Sequence, residues 1–183
     1  MDKEDILERK YLCFDIGYVK PGIVLITQNM KNNRIKIEIY DNISFKTNLD
    51  CVCVLDYFFS QKITAVVIEQ QVTIKNISLM QFIHGYSLGK NVNVVIKRAV
   101  SYLRSKQSEE KTSRSIKKGF SVEYFNNLLS KNGIKRKYLL RDSDICDAIN
   151  IGLIHIFDLN KKNMNSVDIK IDNISHLGLN YDP

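Results

Sequence analysis

The sequence predicts a single α/β domain in which helices flank a central mixed sheet of five strands. Short β-branched runs open the chain, and later ones alternate with longer apolar stretches of helical spacing. The 183 residues are 44% hydrophobic and 26% charged, a composition that suits one folded unit with a sizeable core. No repeat or Pro/Gly-rich linker divides the chain. No apolar run reaches the roughly 18 residues of a membrane span, so we expect no membrane partner.

The first 43 residues predict a three-stranded meander. Residues 11–16 form a short apolar run that ends at a glycine, and residues 22–28 are rich in β-branched side chains. The Lys-Pro-Gly segment at residues 20–22 predicts a turn between them, because proline fixes φ and glycine permits a tight return. Residues 34–40 alternate apolar and polar side chains, which is typical of an edge strand with one face in solvent.

Helices and strands alternate in the middle of the chain. Residues 49–59 and 74–88 have the apolar content of packed helices. The run at residues 64–68 is fully apolar, so we expect a strand in the centre of the sheet that is buried on both faces. Residues 92–96 predict the fifth strand, and residues 121–130 predict a helix that the following Asn-Gly pair stops.

A last helix and a tail complete the chain. Asp142 or Ser143 caps this helix, which is predicted to run to about residue 159. Its apolar face consists of Ile145, Ile149, Leu153, Ile154 and Phe157. The polar tail after it is either disordered or adds a short strand at residues 167–171.

The order of these elements matches the RNase H-like fold. We therefore divide the chain into an N-terminal extension (residues 1–10), an RNase H-like domain (11–159) and a C-terminal tail (160–183). Element order alone assigns no function, because many α/β folds share parts of it.

Positive charge is concentrated in two segments of a chain whose net charge is +7. Residues 97–118 hold eight lysines and arginines against two glutamates, and residues 131–141 contain no acid. Either run alone could be an exposed loop, but two runs that flank one predicted helix favour a phosphate-binding surface. The candidate DNA contacts are Lys97, Arg98, Arg104, Lys106, Arg114, Lys117, Lys135, Arg136 and Lys137.

The cysteine spacing argues against a zinc or redox site, and the N-terminal residues argue against a secreted protein. Cys51 and Cys53 form C-x-C rather than C-x-x-C, and no histidine pair has the spacing of zinc ligands. We expect these two, Cys13 and Cys146 to be reduced and mostly buried. Residues 1–10 lack the apolar core of a secretion signal, so we expect an intracellular protein.

Four carboxylates occupy positions where an acid is unexpected. Asp15 lies within the first buried strand, Glu69 ends a fully apolar strand, and Asp144 and Asp147 are three residues apart at the start of the last helix. Burying a carboxylate costs several kcal/mol unless it is paired or bound to a metal. Glu69 alone could point to solvent, and Asp142 is more simply a helix cap. Oxygen ligands that converge from separate elements are typical of a magnesium site.

The three motifs around these acids resemble those of RuvC-like Holliday junction resolvases. F-D-I-G at residues 14–17, followed by the K-P-G turn, resembles the first catalytic strand of that family. V-I-E-Q at residues 67–70 resembles its second acidic motif, and D-I-C-D-A-I-N at residues 144–150 is similar to its closing D-x-x-D-A helix. The resemblance covers residues 11–158, and the small size of the chain suggests the poxvirus-type branch.

The resemblance implies a site for two Mg²⁺ ions, for which Mn²⁺ could substitute. Asp15 would bridge both ions, Glu69 and Asp147 would each hold one, and Asp144 would complete the set. One ion would activate a water molecule and the other would stabilise the leaving oxygen.

The resemblance further implies a catalytic lysine just before the penultimate helix. An ungapped match places Gly119 at that position, so we assign the role to Lys118, with Lys117 as the alternative. Both could instead be ordinary phosphate contacts.

The resemblance also implies a homodimer that makes paired symmetric nicks in branched DNA at a viral replication site in the host cytoplasm. Residues 74–86 are the candidate interface helix, because they carry more apolar surface than one buried stripe requires. The same helix could simply be buried in its own subunit.

Two other functions use the same residues. A nuclease that cuts RNA–DNA hybrids or flaps would use the same carboxylates, act as a monomer and need a 2′-hydroxyl in its substrate. A nucleic-acid-binding module without activity would bind in a salt-dependent way and cut nothing. The intact acidic set argues against the second of these.

Overall fold

The computed structural model describes residues 7–17, 20–40, 43–45, 47–98, 114–160 and 168–174, and for residues 114–118, 140 and 160 it describes the backbone alone. The elements are β1 (Glu8–Asp15), β2 (Gly22–Asn29), β3 (Ile35–Tyr40), α1 (Asn48–Phe59), β4 (Ala65–Glu69), α2 (Ile74–Gly89), β5 (Asn93–Lys97), α3 (Arg114–Lys131), a 3-10 turn (Leu140–Asp142), α4 (Ser143–Asn160) and β6 (Ile169–Ile174). Within these ranges no helix combines the length and hydrophobicity that crossing a bilayer requires.

The strands form one mixed sheet with the order β5-β4-β1-β2-β3-β6. β1, β2 and β3 are antiparallel neighbours, which confirms the predicted meander. β4 is parallel to β1, and β5 is parallel to β4. β4 therefore lies inside the sheet, as its fully apolar sequence predicted.

The prediction that β3 is an edge strand was wrong. β6 pairs with β3 in parallel along its whole length, so the sheet has six strands rather than five. Lys36 on the polar face of β3 lies 2.9 Å from Glu38 and 3.4 Å from Asp172 of β6. The alternation showed which face of β3 is polar. It could not show that a later strand pairs with the open edge.

Alternation along the strands divides the core into two layers. Cys13 and Val67 lie in the layer formed by α3 and α4, whereas Leu12 lies in the layer formed by α1 and α2. Asp15 and Glu69 follow Cys13 and Val67 by two residues, so they emerge on the same face of the sheet, under α4.

Two glycines let α4 lie against the sheet. A Cβ atom on Gly22 would overlap the carbonyl oxygen of Asp144, and one on Gly152 would overlap the sulfur of Cys13. In each case the neighbouring atom would have to move if the glycine carried a side chain. The close approach fixes the height of α4 above β1 and β2.

The buried surface of α4 is wider than the predicted apolar stripe. Ile149, Leu153 and Phe157 are buried as predicted, but Ile145 and Ile154 are only half-buried. Four further apolar residues are buried, namely Cys146, Ala148, Ile151 and Ile156. The stripe widens because α4 packs on the sheet with one side and on α3 with another.

The start of α3 was predicted seven residues too late. The helix begins at Arg114, so Lys117 and Lys118 lie inside its first turns rather than in a loop before it. Gly119 does not break the helix, because an internal glycine costs only about 1 kcal/mol relative to alanine.

The cysteines are as predicted. Cys13, Cys51 and Cys146 are buried, Cys53 is half-buried, and all four are free thiols. Burial raises the pKa of the Cys51 thiol to about 12.

Candidate metal centre

Three of the four predicted acidic ligands meet at one end of the sheet. Asp15 is the last residue of β1, Glu69 is the last residue of β4, and Asp147 lies in the second turn of α4. Each offers one carboxylate oxygen, and these three atoms all lie within 4.8 Å of one another. All three residues are half-buried, so they can be reached from solvent.

Strand register brings the first two acids together. β1 and β4 run parallel, with Cys13 opposite Val67 and Phe14 opposite Ile68, so the next residues along are Asp15 and Glu69. Parallel neighbours in register project to the same face of a sheet.

The glycine beside Asp15 allows the third acid, Asp147, to approach the other two. Gly22 pairs with Asp15 across β1 and β2, and the first turn of α4 rests on it. This contact places the start of α4 directly over the end of β1. Asp147, one turn further along the helix, therefore reaches Asp15.

The donor set fits a hard divalent cation. The group contains three carboxylates and neither histidine nor cysteine. Oxygen ligands of this kind suit Mg²⁺ and Mn²⁺, whereas zinc sites in proteins favour nitrogen and sulfur. Three negative charges within 4.8 Å repel one another, and a bound cation would offset that repulsion.

Asp144 lies outside this group of three. It is half-buried in the first turn of α4, and its carboxylate accepts a hydrogen bond from the Ser143 hydroxyl at 3.3 Å. Asp142 ends the 3-10 turn before the helix and accepts a hydrogen bond from the Leu139 amide at 2.9 Å. This hydrogen bond closes the turn that precedes α4.

The thiol beside these acids stays protonated at neutral pH. Burial, together with the charges of Asp147, Asp142 and Asp144, raises the pKa of the Cys146 thiol to about 12. Cys146 is buried, and it is not among the three residues whose ligand atoms converge.

Two amide side chains form a hydrogen-bonded network beside the acidic group, and neither was predicted. The Nε2 amide of Gln71 donates to Oδ1 of Asp15 at 3.4 Å and to the carbonyl oxygen of Glu69 at 3.3 Å. The Nδ2 amide of Asn76 donates to Oε1 of Gln71 at 3.2 Å and to the carbonyl oxygen of Ile16 at 3.1 Å.

The only signal for these contacts was a pair of consecutive glutamines after Glu69. The motif resemblance included Gln70, but Gln70 is exposed and it is Gln71 that contacts Asp15. β4 ends at Glu69, so strand alternation no longer predicts which of the two turns inward.

The predicted catalytic lysines lie in the helix that packs against α4. Ser121 of α3 accepts two hydrogen bonds from the Asn150 amide, at 2.8 Å on its hydroxyl and 3.1 Å on its carbonyl oxygen. Along the helices, Lys118 is one turn from Ser121, and Asp147 is one turn from Asn150. The side chains of Arg114, Lys117 and Lys118, and the whole of Arg104 and Lys106, lie outside the described residues.

The second basic run forms an anchored, exposed loop before α4. Lys135, Arg136 and Lys137 are exposed, and the Arg136 guanidinium lies 5.0 Å from the centre of the Tyr138 ring. The Asn126 side chain holds the Tyr138 backbone from both sides, donating to its carbonyl at 2.9 Å and accepting from its amide at 2.8 Å. These contacts fix the loop between α3 and the turn that leads to the acidic group.

The first basic run is only partly described. Lys97 ends β5, and its ammonium forms an ion pair with Asp158 near the end of α4 at 2.7 Å. Arg98 follows it and is exposed. A DNA contact through Lys97 would therefore compete with Asp158.

Comparison with known proteins gives one family and several solved structures. The family model described as "Poxvirus A22 protein" matches residues 11–161. The fowlpox virus Holliday junction resolvase is 20% identical, with a TM-score of 0.58 over 82% of this chain and 99% of that one. A fowlpox virus resolvase in complex with its substrate Holliday junction DNA is 22% identical, with a TM-score of 0.60 over 82% and 98%. No curated protein sequence matches this chain.

A bacterial structure has the same fold. RuvC of T. thermophilus, in complex with a Holliday junction substrate, is 13% identical, with a TM-score of 0.50 over 84% of this chain and 96% of that one. The segment matched by the family model runs from β1 to α4 and contains the acidic group, whereas β6 lies beyond it. The RNase H-like fold and the resemblance to RuvC-like resolvases are thus confirmed, and this chain belongs to the poxvirus A22 protein family.

Proposed function

We propose that this protein is a divalent-metal-dependent endonuclease that resolves Holliday junctions and related branched DNA. The observation that carries this proposal is the convergence of Asp15, Glu69 and Asp147 within 4.8 Å at the end of the sheet. The fold supports it, because the fowlpox virus protein and RuvC that share this fold were solved as Holliday junction resolvases or with junction DNA.

The chain's acids would hold the metal that this reaction needs. Asp15 would contact two Mg²⁺ or Mn²⁺ ions, Glu69 and Asp147 one each, and Asp144 would complete the set from the first turn of α4. Bound ions of this kind supply a water of lowered pKa and neutralise the charge that develops on a phosphate. The three carboxylates are only half-buried, so a phosphate group can reach them from solvent.

Lys118→Ala is expected to slow cleavage much more than it weakens junction binding. A lysine that stabilises phosphate charge in the transition state acts on the chemical step, and removing one such group typically costs about 100-fold in rate. Single-turnover cleavage in Mg²⁺ and junction affinity in EDTA measure the two effects separately. Lys117→Ala is the matched control. A larger rate loss in that variant would assign the role to Lys117, and equal losses of rate and affinity would make Lys118 an ordinary phosphate contact.

The other basic residues are proposed to bind the DNA backbone. Lys135→Ala/Lys137→Ala is expected to weaken junction binding and to reduce the slope of log affinity against log salt by about 2, because each lost phosphate contact removes about 0.9. Arg136 is left in place because it packs on Tyr138. Lys31→Ala/Lys62→Ala removes the same charge from exposed positions elsewhere and should leave the slope unchanged. Equal slopes for the two variants would exclude the loop from the DNA interface.

We further propose a homodimer that forms through α2. Leu79 and Ile83 are buried within the subunit, but Ile74 at the start of α2 is 85% exposed and Val72 just before it is 87% exposed. Two copies related by symmetry would supply two active sites, as paired nicks require. Sedimentation equilibrium should give twice the chain mass of 21.2 kDa. A monomer that still makes paired nicks would contradict the proposal.

The first test of function compares a labelled four-way DNA junction, a linear duplex and an RNA–DNA hybrid, each with and without Mg²⁺. Paired symmetric nicks on the junction alone would support the resolvase. Cleavage of the hybrid alone would instead support the hybrid nuclease, and binding without cleavage would support the inactive module.

The proposed place of action is the viral replication site in the host cytoplasm, and it rests on the poxvirus family. Microscopy of the tagged protein relative to viral DNA in infected cells tests this.

We propose residues 11–159 as the catalytic unit, although β1 begins at Glu8 and β6 joins the same sheet from the C-terminal segment.

A further inference from the structure

An amide network connects the end of β1 to the start of α2. Asn76 lies in the first turn of α2 and donates to both Gln71 and the carbonyl oxygen of Ile16. Gln71 donates in turn to Asp15 and to the carbonyl oxygen of Glu69. The network therefore touches two of the three clustered acids and the residue that follows one of them.

The segment that carries Gln71 is itself held in place. The backbone amide of Gln70 donates to the carbonyl oxygen of Lys97 at 2.6 Å, which ties the start of the segment to β5. Helix α2 begins at Ile74 and fixes the other end. Gln71 thus stands between two anchored points, and its side chain is partly buried.

The orientation of the Gln71 amide follows from Asn76. Asn76 already uses its NH₂ group as a donor to a backbone carbonyl, so it presents a donor rather than an acceptor to Gln71. The oxygen of Gln71 must then face Asn76, and its NH₂ group must face Asp15. Asp15 and the Glu69 carbonyl favour the same orientation, so without Asn76 the Gln71 amide would lose a third hydrogen bond that restricts its rotation.

We propose that Gln71 is a positioning residue for Asp15, and that Asn76 acts through it by restricting the rotation of its amide. This inference rests on the proposed metal-dependent function, because it concerns the orientation of a metal-binding carboxylate. A hydrogen bond to Oδ1 restricts rotation of the Asp15 carboxylate. Because the donor is neutral, it adds no positive charge to the acidic group, whereas a lysine or arginine at this position would offset part of the charge that attracts a cation.

Gln71→Met tests the first link in the full-length protein. Methionine keeps the length of the side chain and removes the donor. We expect at least about a 10-fold loss of Mn²⁺ affinity, measured by calorimetry without DNA, since residues that orient metal ligands contribute 10–100-fold. Junction affinity in EDTA and the melting temperature should stay at wild-type values, and raising the Mn²⁺ concentration should restore much of the cleavage rate.

Asn76→Leu tests the second link. We expect the same direction of change in Mn²⁺ affinity, and the double variant should be no weaker than Gln71→Met alone, because both changes break one network. Gln61→Met is the matched control, since Gln61 lies in the turn after α1, away from the acids. It should bind Mn²⁺ as the wild type does.

Three results would overturn the inference. Unchanged Mn²⁺ affinity in Gln71→Met would show that the amide does not position Asp15. Losses that add in the double variant would show that Asn76 does not act through Gln71. Weaker junction binding in EDTA with unchanged Mn²⁺ affinity would make Gln71 a DNA contact. A wild-type protein that binds no Mn²⁺ and cuts no junction would instead defeat the proposed function itself.

Discussion

Asp15→Asn is expected to abolish junction cleavage while junction binding survives. The substitution keeps the shape of the side chain and removes one of three negative charges that lie within 4.8 Å. Asp15 ends β1, which lies between the strand that carries Glu69 and the strand on which the first turn of α4 rests. Loss of a metal ligand costs several kcal/mol of transition-state stabilisation, which corresponds to roughly 1,000-fold or more in rate.

The measurement pairs single-turnover cleavage in Mg²⁺ with junction affinity in EDTA. Asp168→Asn is the matched control, because Asp168 is an exposed acid whose ion pair with Arg34 lies beside β6. That variant should cut at the wild-type rate. Retained cleavage by Asp15→Asn would remove Asp15 from the site, and parallel losses of binding and cleavage would point to a folding defect or a direct DNA contact.

Asp15 could be predicted as a site residue because it is a charged residue in an otherwise apolar strand. A carboxylate within F-D-I at the end of an apolar strand carries a desolvation cost that an apolar residue would avoid. The same holds for Glu69 after A-V-V-I. Both inferences need only the local sequence and the energetic cost of burying charge. Local patterns also predicted β1 to β5, because four of these strands are short and largely apolar and β3 alternates apolar and polar residues.

Nonlocal features could not be predicted in the same way. β6 comes from a polar, weakly patterned segment for which the sequence left a short strand and disorder both open, and the sequence could not show that this strand pairs with β3. The sequence also placed Asp144 and Asp147 on one side of α4 without showing which of them reaches Asp15. That depends on how low α4 lies over the sheet, which contacts at Gly22 and Gly152 decide.

Gly22→Ala is expected to lower both the stability of the protein and its affinity for metal. The substitution acts on the contact between β2 and the first turn of α4. The added Cβ would overlap the carbonyl oxygen of Asp144 and lie 3.1 Å from the amide nitrogen of Ile145. Both are backbone atoms, so no side chain can swing aside to make room. Overpacking typically costs 1–3 kcal/mol, and we expect a loss of about 3 kcal/mol in the free energy of unfolding.

The same clash should disturb the metal site, because the first turn of α4 can only move away from β2. Asp147 would then move away from Asp15, so Mn²⁺ affinity should fall together with the unfolding free energy measured in urea. Gly85→Ala is the control, since a Cβ there meets nothing within 4 Å and alanine favours a helix interior by about 0.5–1 kcal/mol. If Gly22→Ala kept both wild-type stability and wild-type Mn²⁺ affinity, α4 could not lie as close to β2 as the acidic group requires.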